Sequence, residues 1–119
     1  MIIPMLVCRD AAAEIVFCQQ AFGAVELSRR EAEDGSVVHA TLRIGGSLLM
    51  VHDVSPHLES RAPSLEGGSP VFIHLHVEEI DAVIERARAA GARVLLPAAD
   101  RSGGERAGRP RGGLSLIHI

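Results

Sequence analysis

Histidine is the residue type in this chain best suited to chemistry near neutral pH, because the imidazole changes its charge between about pH 5 and 8. Four of the six histidines fall on predicted strands, where alternation directs them to faces that could line a concave surface. They are His39, His52, His74 and His76. Imidazoles on neighbouring strands can hydrogen-bond a ligand, transfer a proton or hold a divalent metal ion.

Each of these histidines also has a plainer interpretation as a hydrogen-bonded side chain of the sheet or the surface. His74 is the strongest functional candidate, because it lies in mid-strand opposite apolar neighbours. Arg43 could hold an anionic substrate group, although an arginine that is simply exposed on a strand is the commoner situation. His57 lies in a predicted loop, and no role is assigned to it or to His118.

Covalent catalysis has no recognisable signature in the sequence. There is no G-x-S-x-G nucleophile motif, and no glycine-rich phosphate loop precedes a helix. Cys8 and Cys18 lack the C-x-x-C spacing of a metal or redox pair, so they are interpreted as buried, reduced thiols. Asp10, Glu78 and Glu79 are explained as helix-start residues rather than as catalytic carboxylates.

The elements that would position these side chains begin with a strand, a helix and three antiparallel strands. Asp10 is a suitable N-cap for the helix, and Gly23 supplies the left-handed residue that ends it. An Asp-Gly pair at 34–35 and a Gly-Gly pair at 45–46 are tight-turn signals between the later strands. The predicted bounds are residues 2–8 for the first strand, 11–22 for the helix, and 24–32, 37–44 and 47–53 for the three strands.

Strand alternation sorts the side chains of the last two of these strands onto two faces. On the strand over residues 37–44, one face is predicted to carry Val38, Ala40, Leu42 and Ile44, and the other Val37, His39, Thr41 and Arg43. On the strand over residues 47–53, Leu48, Met50 and His52 share a face. His39, Met50 and His52 are therefore candidates for one binding surface.

The second half of the chain repeats this organisation less completely. Residues 55–70 have no sustained period and are interpreted as a linker or a loop that covers a site. A strand over residues 71–77 would place Phe72 and His74 opposite the side chains that pack under the next helix. That helix follows two glutamates and carries an apolar stripe, and residues 92–97 form the next predicted strand.

The two halves share a spacing that indicates a duplicated unit. An interval of 13 residues separates the acidic helix start from a Gly-Ala pair in each half, from Asp10 to Gly23 and from Glu78 to Gly91. Two copies are too few for a solenoid, so the sequence favours one α+β domain built from paired strand–helix–strand modules. A length of 119 residues also fits one domain.

Composition argues against several classes of function. The net charge of −3 gives no electrostatic reason to expect nucleic acid or an anionic membrane, and three phenylalanines are too few for a base-stacking surface. No apolar run approaches the roughly 20 residues of a membrane span. Because the N-terminus shows no basic n-region and no cleavage site, the protein is expected in the cytoplasm.

Three segments of the sequence resemble the vicinal oxygen chelate superfamily, the group of glyoxalases, bleomycin resistance proteins and dioxygenases. They are MLVCRDAAAEIVFCQQAFGA, DGSVVHATLRIGGSLLMVHD and GGSPVFIHLHVEEIDAVIERARAAGA, and the last two are similar to the PhnB-like branch. The resemblance covers roughly residues 2–111 and implies an α+β fold of paired βαβββ modules around a concave mixed sheet. It also implies a bacterial protein that binds a small molecule and forms a homodimer.

Metal-dependent members of this superfamily place single ligands on the first, fourth, fifth and last strands. Carried over to this chain, the first three positions are Ile3, Met50 and Phe72, none of which can bind a hard divalent cation. A shift of two residues would instead bring His52 and His74 to ligand positions, as in a metal- or histidine-dependent lyase, isomerase or dioxygenase. The resemblance favours a pocket without metal or cofactor, lined by His39, Met50, His52, Phe72 and His74.

The C-terminal residues depart from the family pattern, which would continue with a turn and a final strand. Residues 114–119, LSLIHI, are the in-frame translation of a transposon end that is used to prepare sequencing libraries. We therefore expect a domain over residues 1–113, with a first module at 1–54, an incomplete second module at 71–113 and a non-native tail. A natural short last strand and an inactive, truncated gene fragment are the alternatives.

Overall fold

The computed structural model describes residues 1–55, 73, 75, 77, 79–92, 94–100 and 106–110 of the chain. The predicted linker from residue 56 onward and the tail at 114–119 lie outside these residues. So does most of the predicted strand at 71–77, including Phe72 and His74. The described residues form six strands and two helices, which confirms the expected α+β class.

The first half of the chain forms the strand, the helix and the three strands that the sequence predicts. Strand β1 is Met5–Cys8, helix α1 is Ala11–Phe22, and strands β2, β3 and β4 are Val25–Glu31, Val37–Ile44 and Ser47–Asp53. The bounds of β3 and β4 agree with the prediction. Strand β1 starts at Met5 rather than at residue 2, directly after Pro4, which has no backbone N–H to donate.

The second half contributes helix α2, Ile80–Ala89, and strands β5, Val94–Asp100, and β6, Arg106–Pro110. The two strands pair with each other in a separate antiparallel sheet. Strand β5 continues past its predicted end at Pro97, which an edge strand tolerates because its outer N–H groups need no partner. Strand β6 was not predicted, since RAGRP has no apolar alternation. No described helix is long and apolar enough to cross a membrane.

Helix α1 begins and ends at the residues that the sequence predicts. The Asp10 carboxylate accepts a hydrogen bond from the backbone N–H of Ala13 at 3.1 Å. Gly23 adopts a left-handed conformation with φ 67°, and its N–H and that of the next residue donate to carbonyls of the last turn. In the same last turn, the carbonyl of Ala21 accepts a hydrogen bond from Nε of Arg86, which ties α1 to α2.

A four-stranded sheet carries α1 on one of its faces. The strand order is β1-β4-β3-β2, with β1 parallel to β4 and the other pairs antiparallel. The core between helix and sheet is formed by Ala11, Ile15, Cys18, Ala21, Ala40, Leu42, Leu49 and Val51. We call this side the helix-covered face. The second helix, α2, packs against α1, β5 and β6, and we therefore call the opposite side of the four-stranded sheet the helix-free face.

Two valines at the start of β3 are exchanged between the faces relative to the prediction. The sequence predicts Val37 on the face of His39, yet Val37 is 1% exposed in the core, whereas Val38 is 41% exposed. Arg30 pairs with His39 and Glu31 pairs with Val37, so the register of β2 and β3 shifts at Val38. The prediction was wrong here because one extra residue in a strand reverses the alternation beyond it.

The carboxylate of Asp53, the last residue of β4, joins three elements of the first module. Its Oδ1 accepts a hydrogen bond from the backbone N–H of Ala11 at 2.7 Å, at the start of α1. Its Oδ2 accepts one from the N–H of Val37 at 2.7 Å, at the start of β3. One side chain therefore fixes where the helix and a neighbouring strand begin relative to the end of β4.

Candidate functional site

The helix-free face of the four-stranded sheet brings several predicted site residues together. Its members follow from alternation along each strand and from the registers of three strand pairs. They are Met5, Val7, Val25, Ser28, Arg30, His39, Thr41, Arg43, Leu48, Met50 and His52. His39, Met50 and His52 therefore lie on one surface, whereas Phe72 and His74 are outside the described residues.

Three polar side chains, Arg30 on β2, His39 on β3 and His52 on β4, cross this face in a line that we call the polar row. Arg30 is the register partner of His39. Ala40 of β3 and Val51 of β4 are register partners. His39 precedes Ala40 and His52 follows Val51, so continuing the antiparallel register by one residue places the two histidines opposite each other. Because adjacent strands are about 4.8 Å apart, neighbours in the row can contact one ligand group together.

His52 is held in one orientation at the buried end of the polar row. The residue is 5% exposed, and its Nδ1 lies 2.7 Å from the backbone carbonyl oxygen of Asp53. Because a carbonyl oxygen only accepts hydrogen bonds, Nδ1 is the donor, and the neutral ring keeps its lone pair on Nε2. Nε2 is therefore the atom that can accept a proton or a hydrogen bond from a ligand.

The two halves of the helix-free face differ in polarity. Strands β1 and β4 contribute mainly apolar side chains, and Met5 and Met50 are register partners there. Strands β3 and β2 contribute the hydroxyl of Thr41 and the guanidinium groups of Arg30 and Arg43. A face of this kind can accept a ligand with an apolar body and a polar end.

Arg30 is the member of the polar row that sequence reasoning missed. The register of β2 against β3 shifts twice, so alternation along β2 cannot be followed from the sequence alone. The preceding residue, Arg29, pairs with Ala40 of the helix-covered face. Because neighbouring side chains of a strand point to opposite faces, Arg30 lies on the helix-free face. On the helix-covered side Arg29 forms ion pairs with Glu26 at 2.7 Å and Glu31 at 3.4 Å.

Strands β1 and β4 do not fit the metal centre of the metal-dependent superfamily members. Met50 pairs with Met5 and His52 pairs with Val7, so neither register places two metal-ligating side chains side by side. Ile3, the predicted first-strand position, is also apolar. Within the described part of the chain, no three or more His, Cys, Asp or Glu side chains are grouped so that they could hold an ion.

A second group of ionisable side chains lies on the helix-covered side, away from the polar row. Glu14 of α1 is 2% exposed, and its Oε1 lies 3.9 Å from the sulfur of Cys18. Burial raises the pKa of Glu14 to about 8 and also raises the pKa of the Cys18 thiol. Burial, helped by the charge of Glu14, raises the pKa of Cys8 to about 12. Both cysteines are free, and high thiol pKa values make them poor nucleophiles at pH 7.

A family model and curated relatives match most of the chain. The model described as Glyoxalase/Bleomycin resistance protein/Dioxygenase superfamily matches residues 3–112. The uncharacterized protein Mb0911c of Mycobacterium bovis is 44% identical over 108 residues, which are 88% of this chain and 71% of that protein. Rv0887c of Mycobacterium tuberculosis is also 44% identical, and the chain spans 64% of its length.

Solved structures match the fold over a similar extent. TioX from Micromonospora sp. ML1 superposes with a TM-score of 0.67 at 27% identity, covering 94% of this chain and 90% of that one. A glyoxalase/bleomycin resistance protein/dioxygenase from Nocardioides gives a TM-score of 0.66 at 25% identity, covering 99% of this chain and 80% of that one. The similarity therefore extends over the whole architecture and is not limited to the first module.

Proposed function

The chain belongs to the glyoxalase/bleomycin resistance protein/dioxygenase superfamily, and on that premise we propose that it binds a small molecule on the helix-free face without a metal ion. The proposed lining residues are His39, Met50, His52, Phe72 and His74. Their role is to hold and orient the ligand. Sequestration of that ligand would be the biological outcome, as in a protein that protects by binding.

The observation that supports this proposal most directly is the composition of the helix-free face. The half formed by β1 and β4 is apolar around Met5 and Met50, and the polar row runs from Arg30 on β2 across His39 to His52 at the edge of that half. An apolar surface with a small number of placed polar groups is the usual composition of a small-molecule site. His52 is prearranged for recognition, because its hydrogen bond to the backbone leaves Nε2 for the ligand.

A histidine-dependent or metal-dependent lyase, isomerase or dioxygenase is the second candidate, and the geometry of His52 is what favours it. Metal-ligating histidines commonly donate their other ring N–H to a backbone carbonyl, as Nδ1 of His52 does to Asp53. His74 would be the further ligand or acid–base group in this alternative. The absence of a ligating neighbour on β1 is the reason for placing it second.

Several finer expectations accompany the leading proposal. We propose that the protein is a bacterial member of the PhnB-like branch, in keeping with mycobacterial relatives at 44% identity. We also propose a cytoplasmic location and a homodimer formed by domains over residues 1–113. The homodimer rests on the resemblance, since superfamily members of this size commonly pair.

The experiment that tests the proposed function combines metal analysis with a thermal-shift screen of the purified protein. The screen would contain α-ketoaldehyde–thiol adducts, catechols and glycopeptide antibiotics. We expect no stoichiometric metal, and a rise in Tm with a ligand that is lost in His52→Ala and His74→Ala but kept in His57→Ala. Stoichiometric Ni, Zn, Fe or Mn that disappears in His52→Ala or His74→Ala would favour the enzyme alternative instead.

A further inference from the structure

We propose that the ligand of the helix-free face carries an anionic group, and that Arg30 receives this group together with His39 in the polar row. The inference rests on the proposed function and narrows the class of ligand. The anionic group would be a carboxylate, a phosphoryl group or a phosphonyl group. Each of these offers two charged oxygens to which a guanidinium can donate two parallel hydrogen bonds.

The first support is the segregation of charge between the two faces of the sheet. The whole chain has more acidic than basic residues and a net charge of −3. Its helix-free face nevertheless carries two guanidinium groups and two imidazoles, and no carboxylate among the described residues. The acidic side chains of β2, Glu26 and Glu31, lie on the helix-covered side with Arg29.

The second support is that the cationic groups of this face have no acidic partner among the residues that the structure describes. Among the described residues, neither Arg30 nor Arg43 forms an ion pair. Asp53, which follows His52, directs both carboxylate oxygens to backbone N–H groups of the helix-covered side. Within the part of the chain that the structure describes, this guanidinium lies beside an imidazole with no carboxylate on the same face, an arrangement that attracts an anion from solution.

The register favours Arg30 over Arg43 as the anchor. Arg43 lies four residues along β3 from His39, which corresponds to about 13 Å, so the two arginines cannot hold one small anion together. The register neighbours of Arg43 are Val25 and Leu48, which offer no hydrogen bonds from their side chains. Arg30 instead stands next to His39, whose ring N–H can add a second donor to the same group.

The position of the polar row also indicates the shape of the ligand. The row starts on the edge strand β2, and the methionine pair lies on β4 and β1. Three strand spacings separate β2 from β1, or about 14 Å. The methionine pair also lies two residues, or about 7 Å, along its strands from the polar row. A ligand with its anionic end at Arg30 would therefore extend a long apolar body diagonally over the sheet towards Met50 and Met5.

Four probes with the same ring test this inference: phenylphosphonate, benzoate, benzyl alcohol and benzylammonium. Because the chain has no Trp and no Tyr, affinity would be measured by ¹H–¹⁵N chemical-shift titration of the full chain. We expect one or both anions to bind more tightly than the alcohol and the cation by at least about tenfold, the size of one charge-assisted contact. The two anions distinguish a phosphonyl from a carboxylate preference.

Matched variants locate the anion site. Arg30→Gln should weaken the binding of the preferred anion at least about tenfold and leave the binding of benzyl alcohol unchanged. Arg29→Gln removes the same charge one residue away on the other face, and it should have little effect. Loss of anion binding in Arg43→Gln but not in Arg30→Gln would overturn the assignment of the anchor.

Failure of the inference and failure of the proposed function give different results. If benzyl alcohol or benzylammonium binds as tightly as the anions, the anionic class is wrong and the binding face stands. If neither anion binds, the inference is overturned whatever the other probes do. If no probe binds and the thermal-shift screen is also negative, the proposed function is contradicted as well.

Discussion

Replacing Asp53 with Ala is expected to lower the free energy of unfolding by about 2–4 kcal/mol, since two part-buried backbone N–H groups lose their acceptor. These are the N–H groups of Ala11 and Val37, each 2.7 Å from a carboxylate oxygen. The carboxylate also lies at the N-terminus of α1, where a negative charge is stabilising. Urea denaturation followed by circular dichroism would measure the change.

Asp34 provides the matched control for this prediction. Its carboxylate also accepts two hydrogen bonds, from the N–H of Ser36 at 2.9 Å and from the Ser36 hydroxyl at 2.7 Å. These bonds lie in an exposed turn, where water can replace them, so Asp34→Ala should cost well under about 1 kcal/mol. Equal losses in the two variants would show that Asp53 does not hold the three elements together.

Replacing Glu14 with Gln is expected to make the protein markedly more stable than the wild type at pH 8, while the two are similar near pH 5. Burial raises the pKa of Glu14 from its ordinary value of 4.5 to about 8 in the folded protein. Between these values the unfolded chain has released the proton and the folded chain has kept it. The wild type therefore loses stability as pH rises through this window, by about 1.4 kcal/mol per pH unit and on the order of 4 kcal/mol in total.

The glutamine variant does not titrate, so the difference between the variant and the wild type isolates the contribution of Glu14. Its amide has nearly the same volume as the protonated carboxyl and can still accept the contact from the Cys18 sulfur. Glu33→Gln, at an exposed position of the β2–β3 turn, should show no such pH-dependent difference. A constant difference between Glu14→Gln and the wild type from pH 5 to 8 would mean that Glu14 is ionised in the folded protein.

The elements whose signals are local were predictable from the sequence. Asp10 and Gly23 mark the ends of α1, and the structure shows both as its caps. Strands β3 and β4 have their predicted bounds because glycine-containing turns before residue 37 and at residues 45–46 delimit them. Strand β6 has neither kind of signal, and only its pairing with β5 reveals it.

The parts of the candidate site that sequence reasoning missed depend on how strands meet in space. Arg30 lies beside His39 because the register of β2 and β3 shifts, and no period in the sequence encodes that shift. The same effect exchanged Val37 and Val38 between the faces. Asp53 resembles any acidic residue at a strand end, yet its partners are distant in sequence at Ala11 and Val37.

The residues that stabilise the first module and the residues of the candidate site lie on opposite faces of the four-stranded sheet. The helix-covered face contains the continuous core, the Asp53 contacts and the neutral Glu14–Cys18 pair. The side chains of the helix-free face lie outside that core, and we propose that they serve recognition. Loss of Arg30 or His39 should therefore change binding much more than stability, whereas loss of Asp53 should do the opposite.

The most direct test of the account is whether a small molecule contacts the methionines of the helix-free face. The chain has three methionines, and Met5 and Met50 are register partners on this face. With ¹³C-labelled methionine and alanine methyl groups, the ligand that raises Tm most in the thermal-shift screen should shift the Met5 and Met50 signals. It should leave Met1 and the fully buried Ala40 of the helix-covered face unchanged. Saturable binding that shifts Ala40 while Met5 and Met50 stay fixed would contradict a ligand site on the helix-free face.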